Sequence, residues 1–126
     1  MKKPRIDEKA VVADGAVVLG DVTIEKDVSI WYNAVIRGDV NSISIGEGTN
    51  VQDLAVLHVD ADASLAIGKN VTIGHGAILH GCTIKDQALI GMGAIVLNGA
   101  VIGKGSMIAA GALVPQNTVV PDGALY

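Results

Sequence analysis

An aliphatic residue returns every six positions along almost the whole of this 126-residue chain. The period gains three residues before Ile45 and four before Ile67, and it loses one before Ile84. An ordinary β-sheet would not keep period six over such a length, so the repeat constrains the fold more than any local propensity does. Ile, Leu or Val begins each of nineteen hexads: Ile6, Val12, Val18, Ile24, Ile30, Ile36, Ile45, Val51, Leu57, Ile67, Ile73, Leu79, Ile84, Ile90, Val96, Ile102, Ile108, Val114 and Val120.

A second column of residues accompanies the first. Four positions after each aliphatic residue stands Ala, Val, Thr or Ser, as at Ala10. Between the two columns lie turn-forming pairs such as Asp14-Gly15 and Asn98-Gly99. Gly and Asn tolerate positive φ and Asp accepts local hydrogen bonds, so these pairs predict corners. A short strand with a corner is one side of a triangular solenoid, so three hexads make one coil and the chain makes about six coils.

The composition is consistent with one all-β domain over residues 1–126. Half of the residues are hydrophobic but only 2% are aromatic, so the core is expected to consist of thin layers of Val, Ile, Leu and Ala. A net charge of −4 without a basic stripe argues against nucleic-acid binding. The N-terminus has charge but no apolar run behind it, so we expect no signal peptide. Glycines interrupt the uncharged stretch 87–103, so we also expect no membrane span. The single Cys82 fits a reducing, cytoplasmic location.

Two of the three histidines are related by one turn of the predicted solenoid. His58 directly follows Leu57, and His80 directly follows Leu79 three hexads later. They should therefore occupy the same outward place on adjacent coils, with backbones about 4.8 Å apart. Two nitrogens bound to one tetrahedral zinc ion are roughly 3.3 Å apart, a gap that the rings can close by leaning together.

His75 lies at a corner on the preceding side of the triangle, so it should point away from the other two histidines within one chain. Across a threefold interface, a corner of one subunit meets a face of the next, and His75 could complete a three-ligand metal site there. Three such sites would form per trimer. The alternatives are solvated surface histidines and a cross-coil stack of His58 and His80 without metal.

Other polar residues align with the histidines. Arg37, near Asp39 and Asp53, predicts an ion pair, which would be partly desolvated and orienting at a subunit interface. Asn50 and Gln52 lie on the side of the solenoid that leads to the His75 corner. For these two residues, decoration of a turn and face and a role beside a metal or substrate are both open.

The motifs Arg37-Gly38-Asp39, Asn50-Val51-Gln52-Asp53, His58, Gly74-His75-Gly76-Ala77 and His80-Gly81-Cys82 together resemble the γ-class carbonic anhydrases and their bacterial homologues. The resemblance covers nearly the whole chain. It implies a left-handed parallel β-helix that forms a homotrimer, with Zn²⁺, or Fe²⁺ or Co²⁺ in its place, at each interface between adjacent subunits.

The same resemblance implies that His58 and His80 of one subunit and His75 of another bind the metal. Three neutral imidazoles leave zinc its full double charge and at least one open position, and the pKa of bound water then falls to about 7. The implied activity is that of a lyase: metal-bound hydroxide attacks CO₂ and gives bicarbonate, reversibly.

The resemblance also assigns roles to five further residues. Arg37, Asp39 and Asp53 match the family's ion-pair residues at the interface. Gln52 and Asn50 match residues beside the metal that orient hydroxide and bind substrate, which makes them the candidate catalytic residues.

Three departures from the family pattern predict weak or lost turnover. Val40 stands where the fast archaeal-type enzymes carry a Glu linked to proton shuttling. The segment 60–64 replaces a longer acidic loop. The last hexad runs almost to Tyr126, so the family's C-terminal capping helix, with its active-site Tyr and Asn, is expected to be absent. Two alternative functions are a hexapeptide-repeat acyltransferase and a non-catalytic trimeric scaffold stabilised by metal.

Overall fold

The computed structural model describes all 126 residues, and all of its regular elements are β-strands. Most strands are two or three residues long and are separated by turns, as a hexad of strand and corner requires. The strands are β1 (Arg5–Ile6), β2 (Val11–Val12), β3 (Val17–Ile24), β4 (Ser29–Ile30), β5 (Val35–Ile45), β6 (Asn50–Val51), β7 (Val56–His58), β8 (Leu65–Ile67), β9 (Thr72–Ile73), β10 (Ile78–His80), β11 (Thr83–Ile84), β12 (Leu89–Ile90), β13 (Ile95–Val96), β14 (Val101–Ile102), β15 (Met107–Ile108), β16 (Leu113–Val114) and β17 (Val119–Val120).

Three walls of parallel strands surround the core. One wall is the six-stranded sheet β15-β12-β9-β6-β4-β2. The other two walls belong to one eleven-stranded sheet, because β3 and β5 run through a corner without a break and join them. Each strand pairs with the strand three hexads away, so the coils lie directly above one another. The all-β solenoid of about six coils predicted from the repeat is therefore confirmed, and it is consistent with the left-handed parallel β-helix that the family resemblance implies.

The register of the coils follows the aliphatic column even where the period changes. Leu57 pairs with Leu79 across the longer coil, and Leu79 pairs with Val96 across the shorter one. The core is a single cluster of 29 buried residues, built mostly from Val, Ile, Leu and Ala. Its side chains stack in columns along the solenoid because equivalent hexad positions face inward on every coil.

The small-residue column departs from the sequence expectation at the three irregular hexads. Val40 and Ala61 are exposed and Thr83 is only partly buried, although each stands four positions after its aliphatic residue. Since the inserted or missing residues change the path of the chain there, the buried corner positions are instead filled by Ile43, Leu65 and Cys82.

The chain continues as solenoid to its last residues. Leu125 forms a parallel bridge with Met107, and the 126 residues contain no helix. The structure also contains no helix with the length and hydropathy that a transmembrane span requires.

Candidate metal centre

The pairing of His58 with His80 is the central feature of the site. His58 ends β7 and His80 ends β10, and the two residues are direct partners in the parallel register of these strands. Their rings meet edge to face, with centroids 5.1 Å apart and planes at 74°. Nδ1 of His58 lies 3.2 Å from Nε2 of His80. The sequence prediction that adjacent coils bring these two imidazoles together is confirmed.

The outer nitrogen of each ring faces an oxygen atom. Nε2 of His58 donates to Oδ1 of Asp39 over 2.9 Å, and Nδ1 of His80 donates to Oδ1 of Asn98 over 2.6 Å. The Asn98 amide is held in this orientation because its Nδ2 donates to Oδ2 of Asp60 at 3.0 Å. A neutral imidazole has only one N–H, so these contacts place the lone pairs on Nδ1 of His58 and Nε2 of His80.

Two lone pairs therefore converge on one point from adjacent coils. At 3.2 Å they repel each other unless a proton or a metal ion lies between them. The spacing is close to the roughly 3.3 Å that two nitrogens adopt on one tetrahedral zinc. Carboxylate and amide partners on the outer nitrogens are also typical of histidines that bind metals. The donor set of this chain thus fits a divalent metal ion, with a protonated histidine pair as the metal-free alternative.

Asp39 connects the histidine pair to a charged network. Its carboxylate accepts from His58 and also forms an ion pair with Arg37 of the same chain. The hydrogen bond from His58, followed by the contact with Arg37, holds the pKa of Asp39 below its ordinary value. Asp39 is therefore an anion at neutral pH and a strong acceptor for the His58 N–H.

His75 and Asp53 lie together at a different corner. The His75 side chain is 54% exposed, and its Nδ1 lies 3.7 Å from Oδ1 of Asp53. Within one chain, no three His, Cys, Asp or Glu side chains are close enough to hold a metal ion. This agrees with the expectation that His75 cannot complete the site alone. Asp53 also does not reach Arg37, so its interface role stays a prediction.

Gln52 and Asn50 lie on the wall that carries His75. Gln52 and His75 line an open groove of about 430 Å³ whose other walls include Leu89 and Met92. The Asn50 side chain donates from Nδ2 to Ser29 on the preceding coil, over 2.7 Å. Neither residue joins the His58–His80 pair within one chain, so a role beside the metal requires a second subunit.

Asn98 and Asp60 are site residues that the sequence analysis missed. The repeat marked Asn98 only as a corner residue, and the family resemblance marked Asp60 only as part of the short segment 60–64. The available signal was position: Asn98 comes two residues after Val96, which pairs with Leu79, the residue before His80. Cys82 lies nearby in the core, where burial raises the pKa of its thiol to about 12, so it stays protonated at neutral pH.

The chain has close relatives among known proteins. Residues 81–116 match the family model described as bacterial transferase hexapeptide (six repeats). The chain is 52% identical over 104 residues to gamma carbonic anhydrase 1, mitochondrial, of Arabidopsis thaliana, a match that covers 77% of this chain and 38% of the relative. It is 45% identical over 97 residues to a carbonic anhydrase of Geobacillus kaustophilus, covering 77% and 53% of the two chains.

A solved structure shares the whole solenoid. A hexapeptide transferase family protein from Anaplasma phagocytophilum superimposes with a TM-score of 0.93 at 49% identity, covering 97% of this chain and 72% of that one. The chain thus spans about half or less of the length of the two curated relatives and most of the solved one. From its repeat, its register and these identities, the chain belongs to the γ-class carbonic anhydrase family of hexapeptide-repeat proteins.

Proposed function

We propose that this protein is a zinc-dependent carbonic anhydrase that hydrates CO₂ reversibly at the interfaces of a homotrimer. His58 and His80 of one subunit and His75 of its neighbour hold the metal. The observation that carries the proposal is the convergence of two imidazole lone pairs at 3.2 Å, each fixed by an oxygen on the opposite ring nitrogen. The carbonic anhydrases among the relatives support the same reaction.

The residues of the chain have distinct tasks in this proposal. Asp39 orients His58 and balances part of the positive charge of a dication, and Arg37 holds the Asp39 carboxylate in place. Gln52 and Asn50 would contact the reacting groups once a neighbouring subunit places them beside the histidine pair. When bound, Zn²⁺, or Fe²⁺ or Co²⁺ in its place, would lower the pKa of a coordinated water to about 7.

The surface around His75 supports an assembly of subunits. Leu89, Met92 and Met107 are exposed beside His75, at 37%, 59% and 46% of their surface. Contiguous apolar side chains of this kind are typical of protein interfaces. A neighbour that covered them would also place His75 and Gln52 against another chain.

A cytoplasmic location is also part of the proposal, and it rests on the sequence alone.

A hexapeptide-repeat acyltransferase is the second candidate, since the solved relative at 49% identity is named as a hexapeptide transferase family protein. An acyltransferase would use one histidine as a base, which does not explain a second imidazole facing the first at 3.2 Å, whereas metal binding explains both. A metal-stabilised scaffold without turnover is the third, and the exposed Val40 in place of an acidic residue favours it. Metal analysis with activity assays distinguishes the three candidates. A carbonic anhydrase contains zinc and hydrates CO₂, an acyltransferase depends on acetyl-CoA and contains no zinc, and a scaffold contains zinc but has no turnover.

The substitution His75→Ala tests the shared site. The variant lacks one of the three ligands and a bond between chains, so it should not bind stoichiometric zinc. Its trimer should also dissociate at a higher protein concentration than the wild-type trimer does. Lys104→Ala is the matched control, because Lys104 is also exposed and has the same hexad position as His75. Zinc is measured by mass spectrometry, assembly by sedimentation velocity and CO₂ hydration by stopped flow. Stoichiometric zinc in His75→Ala would contradict the proposal.

A further inference from the structure

All three departures from the six-residue period lie around the histidine pair. The first insertion contributes Asn41, whose Nδ2 donates to the carbonyl oxygens of Asp60 at 3.1 Å and Ala61 at 3.0 Å in the second insertion. The shortened hexad contributes Gly81, which pairs through its N–H with the carbonyl of His58 at 3.0 Å. The irregular segments are thus packed into one structure beside the candidate metal centre.

Asp60 is held in place by its own loop. Its N–H donates to the carbonyl of Ala63 at 3.0 Å, and the N–H of Ala63 donates back at 3.1 Å. The loop also packs against the shortened hexad, because a Cβ on Gly81 would lie 2.7 Å from Cβ of Ala63. These contacts fix the backbone from which the Asp60 carboxylate reaches Asn98.

The carboxylate of Asp60 decides which end of the Asn98 amide faces His80. Because Oδ2 of Asp60 can only accept, it selects the NH₂ end of the amide, at 3.0 Å. The amide oxygen is then left for Nδ1–H of His80, at 2.6 Å. If the amide turned over, its NH₂ group would face Nδ1, the proton of the ring would move to Nε2, and the lone pair facing His58 would be lost.

The conformation of the corner does not by itself require asparagine at position 98. The left-handed residue of this corner is the following Gly99, with φ of 76°, and Asn98 is not among the residues with positive φ. At other corners Asn33, Asn70 and Asn117 occupy the left-handed conformation themselves. The role of Asn98 therefore differs from that of the other corner asparagines. Its side chain joins His80 to Asp60 through two hydrogen bonds.

We propose that Asp60 and Asn98 are positioning residues that set the tautomer of His80 and so present its Nε2 to the metal. The inference rests on the proposed metal site and adds two residues to it. The relay Asp60–Asn98–His80 belongs to the second insertion and the next coil, whereas Asp39, from the first insertion, serves His58. Both insertions thus orient an imidazole from outside the regular repeat.

Two substitutions at one position separate the relay from general stability. Asp60→Ala removes the acceptor for the Asn98 amide and should weaken zinc affinity about 10–100-fold. Asp60→Asn retains an acceptor oxygen and should stay within about threefold of the wild type. Asp62→Ala, an exposed carboxylate of the same loop, is the control and should change nothing. Asn98→Ala removes the contact to His80 directly and should match Asp60→Ala.

The direct readout is the tautomer of His80 in the metal-free full chain, from the ¹⁵N shifts of its ring, with zinc affinity measured by chelator competition. We expect the Nδ1–H form in the wild type and Asp60→Asn, and a mixture of tautomers in Asp60→Ala. Unchanged tautomer and affinity in both Asp60→Ala and Asn98→Ala, or equal losses in Asp60→Asn and Asp60→Ala, would overturn the inference. A wild type that binds no zinc but keeps the Nδ1–H form would overturn the proposed function and leave the relay standing.

Discussion

The two paired imidazoles take their chemistry from the oxygens behind them. Asp39 and Asn98 each accept an N–H, so both rings can stay neutral and turn their lone pairs toward the same point. Histidines without such partners would adopt either tautomer or become protonated, and neither arrangement offers two donors to a metal. The tautomer is therefore as important to the proposed site as the distance between the rings.

The contact between Asp21 and Arg5 leads to a prediction that is independent of the metal site. Asp21 accepts from Nη2 of Arg5 at 2.7 Å, and this hydrogen bond is the main cause that lowers the pKa of Asp21 below 3.8. Because folding lowers the pKa of Asp21, the contact with Arg5 stabilises the fold at pH values above the pKa that Asp21 has in the unfolded chain. This stabilisation is lost as the pH falls through the lower pKa that Asp21 has in the folded chain. Arg5→Ala should therefore raise the pKa of Asp21, and the stability difference between variant and wild type should vanish in strong acid.

Carboxyl ¹³C shifts followed against pH measure this pKa directly. Because the pair is at the surface, the stability change at neutral pH should be small. Asp122 accepts from the backbone N–H of Lys104 and has no arginine partner, so it serves as the internal reference. An Asp21 titration that does not move in Arg5→Ala would show that the hydrogen bond is not the cause.

The sequence predicted the residues of the site unevenly. Period six was sufficient to place His58 and His80 on adjacent coils, because register in a solenoid depends only on counting hexads. The contacts of Asp39 and Asp60 could not be counted in this way, since both lie in insertions whose path is set by tertiary hydrogen bonds such as those of Asn41. The contact of Asn98 with His80 was not predicted, because asparagine is common at corners and its presence there needed no further explanation.

At the scale of elements, some corners leave no room for a side chain between adjacent coils. Gly20 has φ of 86°, and a Cβ there would collide with the backbone carbonyl of Gly38 on the next coil. The register between β3 and β5 shifts directly after this contact, between Gly20 and Val22. The regular part of the fold was predictable from the repeat, but this local irregularity follows from the inserted residues in β5.

Gly20→Ala and Gly105→Ala form a matched pair that tests the close approach. Both glycines have positive φ, but a Cβ on Gly105 would meet nothing within 4 Å. The backbone strain of about 1–2 kcal/mol is shared, whereas only Gly20→Ala also forces two coils apart, at a further cost of about 1–3 kcal/mol. The thermal unfolding midpoint should therefore fall clearly more for Gly20→Ala. Equal midpoints would show that the coils can separate without cost at this corner.

At the scale of the whole molecule, the wall of the solenoid that leads to His75 exposes apolar side chains. The exposed Leu89, Met92 and Met107 lie on the wall of β9, β12 and β15, next to His75 and Gln52. The histidine pair lies at the end of a different wall, on β7 and β10. A trimer in which one subunit's apolar wall meets the next subunit's histidine pair would bring all the proposed site residues together and bury the apolar surface.

Complementation between two defective chains tests this shared site most directly. His75→Ala and the double variant His58→Ala/His80→Ala are each expected to bind no stoichiometric zinc. In a mixed trimer, one interface joins an intact His58–His80 pair to an intact His75, so co-expressed chains isolated through a tag on one of them should contain about one zinc ion per trimer. Mixed assemblies without zinc, or full zinc in the His75→Ala protein alone, would contradict a site shared between chains.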